Sequence, residues 1–155
     1  MPQMNKGGKF IFGKSLIRSD GTLRIPPQAV DEYRVASEGR VYLFTGSRST
    51  GGFCVTRHGL LAPSKLGGIL RGLPALDAYE QPEGAFTPYK GRSYGWLSIR
   101  PDGCIRLDEK ALAFLNLKPG MALLCIRSSD IAFTLGAKGP LLEKALAYPG
   151  PIETF

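Results

Sequence analysis

The sequence has three cysteines and one histidine, and this scarcity restricts its chemistry. Cys54, Cys104 and Cys125 are odd in number and form no CxxC pair, so neither a disulfide framework nor a zinc site is expected. Their apolar, strand-like neighbours predict buried free thiols. His58 stands alone in "VTRHGLL", which favours a surface or loop position. No Ser-His-Asp order, carboxylate pair or metal-ligand cluster occurs, so we predict no enzyme, metal or cofactor.

Long hydrophobic runs are also missing. No apolar stretch approaches the roughly 18 residues that a membrane span requires. The N-terminal "MPQMNKGGKFIFGK" has neither the apolar centre nor the small-residue cleavage site of a signal peptide. We therefore expect a protein with no membrane partner that resides in the reducing cytoplasm, where free cysteines persist.

Acidic residues are outnumbered by basic ones, 13 against 20, which gives a net charge of +7. Such a charge indicates an anionic partner, most commonly nucleic acid, although a basic protein without such a partner is the alternative. The composition is 43% hydrophobic and 21% charged, as in folded proteins. Twenty glycines and twelve prolines favour short elements and tight turns, hence more β-strand than long helix.

One segment occurs twice: "IRSDGTLRIP" at 17–26 returns as "IRPDGCIRLD" at 99–108. When the sequence is shifted by 82 positions, the two halves predict the same order of elements: a strand, a tight turn, a strand, a short helix, a turn, two strands and a second helix. This second helix is predicted to begin at Pro63 in the first half and at Pro140 in the second. Two copies are too few for a solenoid, and one copy is too small to bury a core alone. We predict a single interleaved domain over 1–155, with repeats at about 10–70 and 92–148 and a Gly/Pro-rich linker at 71–91.

The repeated turn predicts which side chains share a face. "RPDGC" has proline, aspartate and glycine in the order of a type I turn closed by a glycine bulge, with a three-residue loop at 101–103. This loop places Arg100 opposite Cys104 and Ile99 opposite Ile105. The isoleucines then face one way and the arginines the other. The same alternation, continued upstream, assigns three apolar side chains to the arginine side: Phe12, Leu16 and Trp96.

These features resemble the AbrB/SpoVT/MazE domain family. The resemblance covers roughly 12–57 and 94–135 and includes the turn glycine, "RIP" or "RLD", a short helix, "LKPG" and two further strands. Gly21, Ile25 and Pro26 match the family signature, and the tandem arrangement resembles the MraZ-like members. The family's arginine after the turn glycine is absent, because Thr22 and Cys104 occupy that position.

The resemblance implies a mainly β fold with short helices: an internally duplicated swapped-hairpin β-barrel of the cradle-loop type, with pseudo-twofold symmetry. It also implies a transcription regulator that binds DNA. We predict that DNA meets the outward arginines of the two hairpins and a neighbouring lysine, namely Arg18, Arg24, Arg100, Arg106 and Lys14. Scattered cations offer further phosphate contacts or are merely solvated: Arg34, Arg40, Lys118 and Arg127.

Several alternatives remain open. The arginines either contact DNA or pair with Asp20 and Asp102 to brace their own turns. The aromatic residues of "AFTPYKGRSYGW" either stack on bases or pack in the fold, and "TGSRSTGG" is either a strand-joining loop or a phosphate site. The chain as a whole is alternatively an antitoxin-like interaction module or oligomeric scaffold. A third alternative is a small-molecule-binding or enzymatic barrel, with the insert at 58–93 as a lid.

Overall fold

A computed structural model of the chain describes residues 10–139, 142–143, 145 and 152–155, and these form a mainly β fold with short helices. The strands are β1 (Ile11–Leu16), β2 (Thr22–Arg24), β3 (Arg40–Thr45), β4 (Phe53–Thr56), β5 (Thr87–Tyr89), β6 (Arg92–Ser98), β7 (Cys104–Arg106), β8 (Ala122–Arg127) and β9 (Phe133–Gly136). The helices are α1 (Pro27–Tyr33), α2 (His58–Leu61), α3 (Gly68–Gly72), α4 (Pro74–Asp77) and α5 (Glu109–Leu115).

Seven strands form one antiparallel sheet in the order β1-β8-β9-β4-β3-β6-β5. The remaining two, β2 and β7, pair with each other as a short ribbon. The sheet is open, since β1 and β5 lie at its two edges. Three of the six strand pairs in this sheet join the N-terminal and C-terminal halves of the chain: β1 with β8, β4 with β9, and β3 with β6.

The main core lies between the ribbon, helices α1 and α5, and one face of the sheet. Apolar side chains from both halves meet there, including the isoleucines and leucines that flank the two glycine turns. Those flanking residues are all buried: Ile17, Leu23, Ile25, Ile99, Ile105 and Leu107. The prediction that these apolar side chains and the arginines lie on opposite faces is confirmed, because Arg18, Arg100 and Arg106 are exposed and Arg24 is half-buried.

Both turns have the predicted geometry, but the hairpins part immediately beyond them. The amide of Arg100 donates to Cys104 O at 3.0 Å and that of Gly103 to Arg100 O at 2.9 Å, and Arg18 and Gly21 repeat this pattern. Gly21 and Gly103 have φ of +84° and +86°, which glycine adopts without strain. The expected pairing of Ile99 with Ile105 is wrong. Ile99 instead donates to Gly39 O, and Ile105 lies opposite Leu23.

A β-bulge corrects the predicted position of Phe12. In β1, Ile11 pairs with Ile126 but Gly13 pairs with Cys125, so the register shifts at Phe12. The extra residue interrupts the alternation of faces, and Phe12 is fully buried in the main core. Trp96 does lie on the other face of the sheet, half-buried, and Leu16 is 38% exposed.

Helices α2–α4, from the first part of the insert predicted at 58–93, form a layer over that second face. Tyr42 and Tyr94 are buried there against Leu61, Leu70 and Leu76 of α2–α4. The expectation that Pro63 opens a helix is wrong, because Pro63 lies between α2 and α3. At the other end of this face, Leu142, Ala145 and Ile152 pack against β1 and β8. Pro140 and most of the segment after it lie outside the described residues.

Tyr33 provides a test of the main core through its pH dependence. Its hydroxyl donates to Ser129 O at 2.6 Å, and burial raises the pKa of Tyr33 from 10.0 to about 12. The folded protein therefore retains a proton that the unfolded chain loses, so the hydroxyl's contribution to stability is lost as pH rises from 10 to 12.

We expect wild type to exceed Tyr33→Phe by about 1 kcal/mol in unfolding free energy at neutral pH, because the variant lacks this hydrogen bond. The difference should shrink as the pH rises above 10. Denaturant unfolding of both proteins across this range measures it, and the other tyrosines cancel in the comparison. A pH-independent difference would contradict the placement of Tyr33.

Candidate nucleic-acid interface

The ribbon of β2 and β7 sorts its side chains between core and solvent. Leu23 lies opposite Ile105, and both are buried in the main core. Because side chains alternate along a strand, the flanking pairs point outward. These pairs are Thr22 with Arg106 and Arg24 with Cys104, so the two arginines are diagonal neighbours on the outer face.

An aspartate stabilises each turn beside the ribbon. Asp20 Oδ1 accepts from the amide of Thr22 at 3.0 Å, and Asp102 Oδ1 accepts from the amide of Cys104 at 3.0 Å. These amide hydrogen bonds are the main reason that the pKa of each carboxyl lies below its usual value. Both carboxylates are therefore ionised at neutral pH and are occupied by the backbone of their own turns.

Two arginines brace the opposite turn. Arg24 Nε donates to Asp102 O at 3.1 Å, and Arg106 Nε donates to Asp20 O at 3.0 Å. For Arg24 and Arg106 the predicted bracing therefore occurs in another form, since the acceptors are backbone carbonyls of the opposite turn and not the carboxylates of Asp20 and Asp102. The terminal nitrogens of both guanidinium groups make no hydrogen bond within the described part of the chain.

The other two arginines lie at the turns and are exposed. Arg100 Nη2 lies 3.5 Å from Asp102 Oδ2, but its side chain is 74% exposed, so this pair contributes little stability. The Arg18 side chain makes no hydrogen bond or ion pair to any described residue, although its backbone closes the first turn. Arg18 and Arg100 both act electrostatically on the thiol of Cys104. All four arginines thus lie around the ribbon and its two turns.

Lys14 is placed differently from the arginines. It lies in β1 opposite Leu124, and its amide and carbonyl bond to Glu153 and Phe155 of the C-terminal segment. No hydrogen bond or ion pair among the described residues joins Lys14 to the arginines. Its role in DNA binding stays a prediction.

The scattered cations differ in whether their side chains have partners within the fold. Arg127 Nε donates to Glu32 Oε2 at 2.7 Å, and the Arg40 guanidinium lies 4.5 Å from the Tyr79 ring centroid. Lys118 is exposed and lines a cleft of about 610 Å³ with Arg106 and the first turn. Arg34 lies beside Pro101 in a shallower depression under the second turn. Lys118 and Arg34 therefore flank the two turns, one on each side.

Two acidic side chains near Arg106 reduce the positive charge around the ribbon without cancelling it. Glu83 and Asp108 share a small depression with Arg106, although neither forms an ion pair with it. Asp108 Oδ1 accepts from the amide of Ala111 at 2.8 Å, which confirms it as the N-cap of α5. Glu83 accepts from the amide of Ser98 at 2.8 Å. Both carboxylates therefore have structural partners.

The cysteines differ in burial. Cys54 and Cys125 are buried free thiols, as predicted. Cys104 is also free but only half-buried, because it lies on the outer face of the ribbon opposite Arg24. Partial burial raises the pKa of the Cys104 thiol. A neutral thiol therefore lies among the four arginines of the ribbon and its turns.

Sequence reasoning missed the partner of His58. The histidine begins α2, and its Nε2 lies 2.8 Å from Asp77 Oδ1 at the end of α4, so the pair joins two helices. No local signal connects residues 19 positions apart. The aromatic stretch packs in the fold: Tyr94 is buried, Phe86 stacks on Phe114, and Trp96 donates to Gln81 O. "TGSRSTGG" does join β3 to β4.

No described helix has the length and apolar character needed to cross a bilayer. Within the described ranges, no three His, Cys, Asp or Glu side chains are grouped so as to hold a metal ion. The chain matches no protein-family model and no curated protein.

Proposed function

We propose that this protein is a DNA-binding transcription regulator of the AbrB-like type, built from two repeats that exchange strands in a swapped-hairpin barrel. The observation that carries the proposal is the group of four arginines around the β2–β7 ribbon. Two of them use only Nε for internal contacts, and the other two project from the turns. Guanidinium groups placed in this way are suited to phosphates and to guanine edges.

The strand pairing supports the duplication. In chain order, β1, β2, β3 and β4 correspond to β6, β7, β8 and β9. Exchanging the halves converts the β1–β8 pair into the β6–β3 pair, and leaves β2–β7 and β4–β9 unchanged. Helices α1 and α5 also correspond between the two halves, because each is followed by a residue in the left-handed conformation, Arg34 after α1 and Asn116 after α5. This internal symmetry is what two interleaved repeats would produce.

The symmetry also predicts the kind of DNA site. Arg18 and Arg24 are related to Arg100 and Arg106, so each half presents one turn arginine and one ribbon arginine. The major groove of B-DNA is wide enough to admit a two-stranded ribbon. A pseudo-twofold protein surface matches a pseudo-palindromic site. The departures between the copies, such as Thr22 against Cys104, favour an imperfect palindrome.

Selection from a genomic DNA library tests this proposal. The protein should enrich duplexes with a short imperfect palindrome, and its affinity should fall steeply as salt increases, because Lys and Arg contacts release counterions from phosphates. Failure to retain any duplex at low salt would overturn the proposal. Recovery of a stoichiometric protein from the native lysate, with no nucleic acid, would favour the antitoxin-like interaction module instead.

A substitution of the turn aspartates separates DNA binding from turn bracing. Asn at positions 20 and 102 retains an oxygen for the amides of Thr22 and Cys104 while removing two negative charges beside the arginines. We expect Asp20→Asn with Asp102→Asn to raise DNA affinity about tenfold, with little change in melting temperature. Fluorescence anisotropy with a labelled duplex measures this effect. Unchanged or weaker binding by a normally folded variant would show that the arginines do not face DNA.

An exposed aromatic side chain favours a second, compatible role in protein association. Phe114 of α5 is 52% exposed and stacks on Phe86 with ring centroids 4.9 Å apart. An aromatic side chain this exposed on a helix is a common feature of contact surfaces. Sedimentation of the wild type and of Phe114→Ser would detect self-association through this face.

A further inference from the structure

The second face of the sheet has an open groove at its centre. A row of paired residues crosses its floor: Phe44 lies opposite Cys54, Cys54 opposite Thr134, and Thr134 opposite Ile126. Helices α2–α4 cover one side of this row, and Leu142, Ala145 and Ile152 cover the other. Between the two covers a groove of about 370 Å³ remains, with loops 46–52 and 128–132 at its ends.

The groove has the size and composition of a small-molecule site. Ligand pockets typically enclose roughly 300–1,000 Å³ and combine apolar walls with a few polar groups. Here Phe44, Leu66, Ile126 and Ile131 supply apolar surface. At about 30 Å³ for each water molecule, the volume equals roughly a dozen waters, which is space for a ligand of about ten to twelve non-hydrogen atoms.

The only charged side chain among the described residues that line this groove is Arg92. None of the ion pairs within the described ranges includes Arg92. Its guanidinium lies 5.5 Å from the Phe44 ring centroid, and Nη1 makes one long contact of 3.4 Å with Thr45 O. A solvent-exposed guanidinium without an ion-pair partner among the described residues therefore lies beside Phe44.

The hydroxyl groups of the groove divide into occupied and available ones. Thr134 Oγ1 bonds to Cys54 Sγ at 3.3 Å and to Ser128 Oγ. Ser129 Oγ instead accepts from the amides of Ile131 and Ala132, at 3.3 and 3.2 Å. Its lone pairs are then in use, and no described group accepts its proton. Ser129 can therefore offer a ligand only a donor, as can Arg92.

From these features we infer that the groove binds a small carboxylic acid with an apolar body, its carboxylate held by Arg92 and the Ser129 hydroxyl. Carboxylates pair bidentately with guanidinium groups, and the apolar floor accommodates a hydrocarbon or aromatic ring. A phosphate dianion fits less well, because one cation would not offset the cost of placing two charges against Phe44 and Ile126. This inference does not depend on DNA binding.

Titration of the isotope-labelled protein with two acids and a neutral analogue tests the inference. The probes are 3-phenylpropanoate, octanoate and 3-phenylpropanamide, and the readout is the amide spectrum. We expect both acids to shift the amide signals of Cys54, Thr134 and Ile131 to saturation, with the neutral amide at least about tenfold weaker. Absence of saturable shifts in these residues for both acids up to about 10 mM would overturn the proposal.

Variants identify the groups responsible. Arg92→Gln should weaken both acids at least about tenfold and leave the neutral amide unchanged. Arg71→Gln removes the same charge from an exposed helix position outside the groove and should have no effect. Leu66→Ala retains the charge and should weaken acids and amide alike, by about threefold. Equal binding of acid and amide to wild type, or unchanged acid binding by Arg92→Gln, would contradict the proposed site.

Discussion

Replacing Arg18, Arg24, Arg100 and Arg106 with glutamine should reduce DNA affinity by at least about a thousandfold. Each well-placed arginine contact to DNA contributes about 1–3 kcal/mol, and 1.4 kcal/mol is a factor of ten. The salt dependence should change with it. If all four contact phosphates, the slope of log affinity against log salt should become shallower by about 3.6, since each phosphate contact contributes about 0.9.

A matched control separates local contact from net charge. Gln substitutions of Arg48, Lys65, Arg71 and Lys90 remove the same four charges from exposed positions away from the ribbon. This control should lose much less affinity, because exposed charges farther away than a Debye length of about 8 Å are largely screened at physiological salt. Equal losses in the two quadruple variants would mean that DNA responds only to total charge.

Lysine substitutions at the four arginine positions refine the test. They retain charge but lose the planar fork that binds guanine edges and phosphates bidentately. We expect the salt dependence to persist while discrimination between the selected duplex and a scrambled one falls. The lysine variants also lose the Arg24 and Arg106 hydrogen bonds to the opposite turns, so thermal melting of each variant should accompany the binding data.

Gly21→Ala should destabilise the fold by about 3 kcal/mol or more. The backbone at Gly21 has φ of +84°, which strains any side chain by about 1–2 kcal/mol. A Cβ there would also lie 2.0 Å from Leu107 O, directly after β7. Because Leu107 N donates to Gly21 O at 3.0 Å, relief of the clash would disrupt the pairing of the two halves.

Gly91→Ala isolates the clash. Gly91 has nearly the same φ, +87°, but apart from its chain neighbours no atom would lie within 4 Å of a Cβ at this position, so only the conformational strain applies. Gly103→Ala should have an intermediate effect, since its Cβ would lie 2.8 Å from the Val30 Cγ2 methyl and 3.3 Å from Ile25 O. Chemical denaturation gives the three free energies. A cost for Gly21→Ala no larger than that for Gly91→Ala would contradict the ribbon geometry.

Local sequence patterns predicted the turns and their faces well. The segments "SDG" and "PDG" determine the backbone conformation of the two turns. The placement of isoleucines and arginines on opposite faces then follows from the loop length. The N-cap at Asp108 is equally local. These features depend on residues close together in the chain, so no knowledge of the tertiary fold was needed.

The contacts that join the two halves were beyond such reasoning. Nothing near Leu23 specifies that its partner is Ile105, and the Arg24 contact with Asp102 spans 78 positions. The bulge at Phe12 depends on how β1 pairs with β8. Arg92 becomes a candidate ligand-binding residue only because β6 places it beside Phe44. Register between distant strands is set by the packing of the whole core.

The most direct test of the central claim is the arginine side-chain spectrum of the protein during titration with the selected duplex. We predict that the Nε–Hε signals of Arg18, Arg24, Arg100 and Arg106 shift as the complex forms, while those of Arg48 and Arg71 do not. A duplex that binds while the four ribbon and turn signals stay unchanged would contradict the proposal that this surface meets DNA.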